Sequence, residues 1–270
     1  MNPRLNWKRN AQFVVVLLGA LTLKLYYSAA SPNQLRWILA PTTVLVELVS
    51  GRPFEFESHA GYISSDRTFL IAASCAGVNF LITSFLMLSL RKLWRDRSRN
   101  SSDNLAWRFI PIAALFAYLA TLVANTVRIS SALRLQRMPL EISWLSPNQL
   151  HRFEGIFIYF AFLLLLFIVT EKMSSENTSG LPLHAGWPRG NPGLFRQSLF
   201  PLMMYYATML GIPLASAAYR PRIAATDFWE HLLFVVLTPL LLILPVATFR
   251  FYRDHRVSVR IKLGVTTPRH

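Results

Sequence analysis

Apolar residues along this chain come in long blocks, not in the strict alternation of a half-buried strand. Six blocks approach the roughly 20 residues that a helix needs to cross about 30 Å of hydrocarbon: 11–29, 69–90, 105–127, 153–170, 198–218 and 231–249. A seventh, 35–49, is shorter and carries Arg36, Pro41 and Glu47, so it is expected to lie in the interface or to re-enter. After it, Arg52-Pro53-Phe54-Glu55-Phe56-Glu57 alternates apolar and charged residues up to His59-Ala60-Gly61, and Tyr62-Ile63 follows, the pattern of a short hairpin. The stretch 174–191, rich in Gly, Pro and Ser, reads as a loop, and no internal repeat is evident. The pattern predicts an all-α polytopic membrane bundle: one transmembrane domain over 1–270 with about six spanning helices, an interfacial helix and a short hairpin.

Charge gives the bundle a direction. With six spans, 1–10, 91–104, 171–197 and 250–270 share one side. Arg91, Lys92, Arg95, Arg97 and Arg99 crowd the second of these segments, and Arg250, Arg253, Arg256, Arg260, Lys262 and Arg269 crowd the last. Positive residues favour the cytoplasm, so 171–197 is expected as a cytoplasmic loop and 250–270 as a basic cytoplasmic tail. The segments 30–68, 128–152 and 219–230 then face outward. If 35–49 also spanned, only the amino terminus would change sides. Composition agrees, because 53% hydrophobic against 15% charged residues suits lipid as the solvent. The net charge of +15 is spread between apolar blocks and forms no continuous basic patch, which points to lipid headgroups as partners and away from nucleic acid. Arg4, Lys8 and Arg9 before an apolar run resemble a signal peptide, but the run extends to about Ala29 with no convincing small-residue cleavage site after it, so it is expected to remain as an anchor.

Cys75 is the single cysteine, which excludes an intrachain disulfide and a multi-cysteine metal centre. The sequence calls for no metal and no cofactor. Cys75 is placed about two turns into the second span, Arg128 where the third emerges, and His151 where the fourth opens, so the three are expected to converge at the outer ends of consecutive helices. A thiol with a pKa near 8.5 is mostly protonated at neutral pH and needs help to attack a carbonyl. Imidazolium and guanidinium supply that help, and the histidine then protonates a leaving amine. Arginine is never a base here, so Arg128 is cast as the holder of a carbonyl or oxyanion, a role whose removal costs about 2.7 to 4 kcal/mol elsewhere. Taken singly, each residue has a plain structural explanation: a small core cysteine, a snorkelling arginine, an interfacial histidine. Their coincidence is the argument.

Around them, Asn125 shares a helical face with Arg128 and is suited to orient the guanidinium or a substrate amide; Asn79, one turn beyond Cys75, has the same capacity. Glu154 either fixes the His151 imidazole or pairs with Arg152. Gly77 and Gly155 are expected to let helices approach closely. Arg134 and Arg137 lie on the outward side against the usual charge bias, and bind either an acidic substrate residue or lipid phosphates.

The order Cys75-x-Gly77, then Asn125-x-x-Arg128, then His151-x-x-x-Gly155, each on a successive helix, resembles the exosortase and archaeosortase family over roughly 50–170. Within it, Cys75-Ala76-Gly77-Val78-Asn79-Phe80 is similar to the short K-type branch, with Ala76 where a serine is the commoner residue. The resemblance implies a bacterial inner-membrane cysteine protease or transpeptidase with its active site on the outer, periplasmic side. It implies as partners exported proteins that end in a recognition motif, a hydrophobic helix and a basic tail, processed by a Cys, Arg and His trio. Two readings from other classes stay open: a transporter or assembly factor with Arg128, Arg134 and Arg137 lining an anion path, and an acyl or phosphoryl transferase using His151.

Overall fold

The computed structural model describes residues 3–99, 103–137, 147–176, 194–211 and 232–244. Long helices dominate: α1 (Pro3–Ala29), α2 (Arg36–Ser50), α3 (Val78–Arg99), α4 (Asp103–Arg137), α5 (Pro147–Glu176) and α6 (Leu194–Tyr206). A single π-helical turn, Ala207–Gly211, closes α6, and a shorter apolar helix, α7, covers Leu232–Leu244. Among the described residues, four segments are long and apolar enough to cross a membrane: Asn10–Ala29, Ala73–Asp96, Trp107–Gln136 and Gln149–Met173. The fifth and sixth expected spans correspond to α6 and α7; their continuations over 212–218 and 245–249, and the basic tail at 250–270, lie outside the described residues.

Several boundaries differ from the sequence expectation. Past Arg128, α4 stays helical to Arg137, so the first part of the segment 128–152, expected to face outward, is helix. No Gly or Pro interrupts Ile129 to Arg137, and its Ala, Leu, Arg and Gln are good helix formers. Likewise α5 opens at Pro147, ahead of the apolar block, and runs on to Glu176; proline at a first helical position carries the φ a helix needs. The linker expected over 171–197 is shortened accordingly, and 177–193 lies outside the described residues.

The expected hairpin is present, and it gains a strand. β1 (Phe54–Glu57) pairs antiparallel with β2 (Gly61–Ser64), Phe54 opposite Ser64 and Glu57 opposite Gly61. β2 then pairs with a two-residue β3 (Leu70–Ile71), drawn from the start of the block expected to be a spanning helix. Asp66 organises the β2–β3 turn, accepting hydrogen bonds from the Ser64 hydroxyl (2.6 Å), the Thr68 hydroxyl (2.8 Å) and the Thr68 N–H (3.2 Å), with Arg52 3.5 Å away. Those donors hold the Asp66 carboxyl down to about 2.

The sheet is tied to the helices by polar contacts. Glu47 of α2 accepts the Phe54 N–H at 2.7 Å, the Arg36 guanidinium lies 4.5 Å from the centre of the Phe56 ring, and Gln136 near the end of α4 donates to the Thr68 carbonyl at 3.2 Å. α2 itself packs against α4, burying Leu39, Val46 and Ile38; Tyr118 of α4 donates to the Trp37 carbonyl at 2.8 Å and stacks on its ring.

In the bundle, α3 lies between α1 and α4, α4 packs on α5, and α6 closes against α3 and α5. Lipid is as apolar as leucine, so close packing and satisfied polar groups hold such a bundle more than water exclusion does. Buried hydroxyls of Thr42, Thr83, Ser84, Thr121 and Thr126 each donate to the carbonyl four residues earlier. Thr83 also meets Thr208 of the π turn at 2.7 Å, linking α3 to the end of α6. At the far end of α3, Arg91 bonds Glu171 of α5 at 2.9 Å while its guanidinium lies over Phe167 and Phe200.

Candidate active site

The chain breaks its helical run where the cysteine sits. Beyond β3, Ala72 is extended, and its carbonyl accepts the Cys75 N–H at 2.8 Å, setting a 3₁₀ turn over Ala73–Ala76. Gly77 follows in the left-handed region at φ 70°, and α3 starts at Val78, with the Leu81 N–H bonding the Gly77 carbonyl at 3.1 Å. A residue with a Cβ is disfavoured there by about 1–2 kcal/mol, which is why glycine marks the corner. Cys75 is therefore not two turns inside a spanning helix. It lies in a partly buried turn packed by α2 and α4, at the junction between sheet and bundle.

Asn125, fully buried on α4, reaches across to this turn and donates from Nδ2 to the Cys75 carbonyl at 2.6 Å. Its Oδ1 accepts the Tyr159 hydroxyl at 2.8 Å, and the Tyr159 oxygen accepts Nη1 of Arg128 at 3.0 Å. A continuous chain thus joins the Arg128 guanidinium to the backbone of Cys75, and Arg128 stands within electrostatic reach of Cys75, Tyr159 and Glu154. Among the described residues, Asn125, cast as orienting the guanidinium or a substrate amide, is joined to Arg128 only through Tyr159.

Both glycines make room for these groups. A Cβ on Gly77 would stand 3.2 Å from the Tyr159 hydroxyl and from Thr121 Cγ2, and 3.3 Å from Asn125 Cγ. One on Gly155 would stand 3.1 Å from Arg128 Nε. Gly155 is thus where α5 accepts the arginine of α4.

His151 lies on the same face of α5 as Gly155, about one turn (5.4 Å of rise) away. It is exposed, with Nδ1 3.7 Å from Glu154 Oε2; among the described residues no hydrogen bond or ion pair joins it to Cys75 or Arg128. Glu154 is buried, both of its oxygens lack a hydrogen-bond partner among the described residues, and the ion pair it forms is with His151, not Arg152. The fold thus brings Cys75, Asn125 and Arg128 together and leaves His151 at the margin of that group.

Asn79 departs from expectation. It is exposed on the first turn of α3, and its Oδ1 accepts the Lys24 ammonium of α1 at 2.8 Å. Lys24 also lies 5.6 Å from the centre of the Tyr27 ring, and Tyr27 is within electrostatic reach of Cys75, Arg128 and Tyr159. Arg134 is exposed on the last turns of α4; Arg137 closes that helix, and its side chain lies outside the described residues. Among the described residues, no three His, Cys, Asp or Glu side chains gather closely enough to hold a metal ion.

Tyr159, Lys24 and Tyr27 escaped the sequence reading, though two of them left traces. His151, Gly155 and Tyr159 recur every fourth residue, which extends the face already singled out by one more turn. Lys24 is a charge inside a spanning block, a position that marks function more often than chance. No family model, no curated protein and no solved structure matches this chain.

Proposed function

We propose that this chain is a membrane-embedded cysteine peptidase or transpeptidase of the exosortase type, with about six spanning helices and its Cys75 end on the outer face of a bacterial inner membrane. The observation that carries the reading is the partly buried chain from Arg128 through Tyr159 and Asn125 to the Cys75 carbonyl, which ties a permanent cation to the turn that carries the single thiol. A lipid-snorkelling arginine has no need of such a mooring.

In the proposed reaction the Cys75 sulfur, as thiolate, attacks the carbonyl carbon of a peptide bond. The carbonyl electron pair moves to oxygen, and Arg128 donates hydrogen bonds to the oxyanion. Collapse of this intermediate breaks the C–N bond; the amine leaves with a proton from His151, and a thioester remains on Cys75. Water or an amine acceptor then attacks the thioester, with His151 taking the proton back. His151, on the exposed rim of α5, suits a group that meets the leaving amine from the substrate side. No cofactor takes part. The substrates are exported proteins with a carboxy-terminal motif, a hydrophobic helix and a basic tail; the helix lies in lipid, and Arg134 and Arg137 meet the motif or the lipid phosphates above it.

The test is co-expression with an exported protein bearing such a tail. Cys75→Ala is expected to abolish processing while the protein accumulates in the membrane as before, because the thiol contributes little packing. Mature substrate of normal size in that variant would overturn the mechanism.

A further inference from the structure

We propose that Tyr159 is a positioning residue whose neutral hydroxyl holds the Arg128 guanidinium against the Cys75 turn without cancelling its charge; this rests on Cys75 being the nucleophile. The direction of the hydrogen bonds follows from the groups involved. A guanidinium only donates, so the Tyr159 oxygen accepts from Arg128 at 3.0 Å. The single hydroxyl proton must then go to Asn125 Oδ1, at 2.8 Å. That sets the Asn125 amide with its nitrogen toward the Cys75 carbonyl, a pure acceptor at 2.6 Å. Every donor and acceptor in the chain is used in one sense, and reversing any link would leave two donors or two acceptors facing each other.

The tyrosine is held on three sides. Its ring stacks on the fully buried Phe80 of α3, with centroids 5.1 Å apart and planes 19° from parallel. Its hydroxyl lies close against Gly77, where a Cβ would stand only 3.2 Å from it. The Arg128 guanidinium stands 5.3 Å from its ring centroid. A carboxylate at this point would anchor the arginine as well, but would neutralise it. Among the described residues no carboxylate lies within ion-pair distance of Arg128. Glu154 acts on Arg128 only from beyond that distance, so the arginine is anchored without a direct ion pair, and a cation held in that way is what a developing thiolate or oxyanion requires.

Tyr159→Phe keeps the ring and its stack on Phe80 and removes only the hydroxyl. In full-length protein in nanodiscs, kcat for cleavage of a tailed substrate is expected to fall by about ten- to a hundredfold with KM nearly unchanged, since the arginine loses its place only when charge develops. The pH profile of Cys75 alkylation by iodoacetamide is expected to move to higher pH. A merely structural role would move neither at matched thermal stability. Tyr159→Phe with wild-type kcat and an unmoved alkylation profile overturns the proposal. Should that variant not fold, Asn125→Asp serves: it puts a carboxylate into the chain and is expected to lower kcat likewise, and wild-type turnover in it is equally fatal. The two readings separate on Cys75→Ala: continued processing in that variant removes both, whereas a Cys75-dependent enzyme indifferent to Tyr159→Phe removes only the positioning role.

Discussion

Gly77→Ala and Gly155→Ala differ by one methyl group each, yet are expected to fail in different ways. Gly77 sits at φ 70°, where alanine is disfavoured by about 1–2 kcal/mol. Its new Cβ would also press on Thr121 Cγ2 and the Tyr159 hydroxyl at 3.2 Å and on Asn125 Cγ at 3.3 Å, groups on two different helices. Overpacking of that kind adds about 1–3 kcal/mol, for a loss of about 2–5 kcal/mol in all. Because the same atoms moor the cysteine turn, processing should collapse together with stability. At Gly155 the backbone is helical, and alanine is the better helix former by about 1 kcal/mol. Its Cβ would meet the Arg128 side chain at Nε, 3.1 Å away, which can shift by a few tenths of an ångström. Net stability should therefore stay within about 1 kcal/mol of the parent while the guanidinium, displaced from its hydrogen bond, slows cleavage. Thermal unfolding in detergent, together with cleavage of a tailed substrate, reads both quantities. A Gly77→Ala protein as stable as the parent, or a Gly155→Ala protein that loses several kcal/mol while cleaving normally, would refute the assignment of these two corners.

Two other outcomes test the sheet and the end of α4. The Asp66 carboxyl ionises at about 2 in the folded chain, below its unfolded value, so its contribution to the β2–β3 turn is present above the ordinary carboxylate range and is lost as pH falls toward 2. Protection of the Thr68 and Phe69 amides, measured against their intrinsic exchange rates at each pH, should fall between about pH 4 and 2 in the parent; the same acid-dependent change in Asp66→Ala would show that another group is responsible. At the end of α4, Arg134→Gln and Arg137→Gln should slow cleavage of a substrate with an acidic motif residue more than that of a neutral variant. A double-mutant-cycle coupling indistinguishable from zero for both arginines would remove the clamp and leave lipid contact.

What was legible in the sequence was whatever depends on local pattern. Block length alone located α1, α3, α4 and α5, because a lipid-spanning helix must satisfy its own backbone and so needs an uninterrupted apolar run. The alternation at Phe54 to Glu57 located the hairpin. Hydropathy could not show that the block at 69–90 divides, since Leu70 and Ile71 serve a strand as well as a helix and the deciding event, Ile71 pairing with Tyr62, is not local to that block. For the same reason Asn125 and Arg128 were found from their shared face, while the tyrosine that joins them, on another helix, was not. Asn79 misled because spacing from Cys75 was counted along an α-helix, whereas a 3₁₀ turn and a left-handed glycine lie between them and turn its side chain toward Lys24.

The break before α3 also bears on why a nucleophile would sit there at all. Within a continuous helix the Cys75 carbonyl would be tied up four residues on, and the thiol would share one face with its neighbours. Breaking the helix frees that carbonyl, and in a lipid-embedded protein a freed backbone group has to find a partner inside the protein. Asn125 is that partner, so the residue that permits the break also connects the turn to the arginine. The break leaves Cys75 just ahead of the amino-terminal end of α3, whose first N–H groups have no helical partner and whose dipole favours negative charge. The cysteine turn, the start of α3 and the Asn125–Tyr159–Arg128 chain thus share one corner, where negative charge has to develop in the proposed reaction. One prediction separates this from simple packing: Asn125→Leu, matched in branching and heavy-atom count but unable to bond, should destabilise the protein by at least about 1–3 kcal/mol for the orphaned carbonyl. It should also slow Cys75 alkylation by more than the fraction of protein unfolded explains, and alkylation at the parental rate in the folded variant would show that the corner does not depend on this amide.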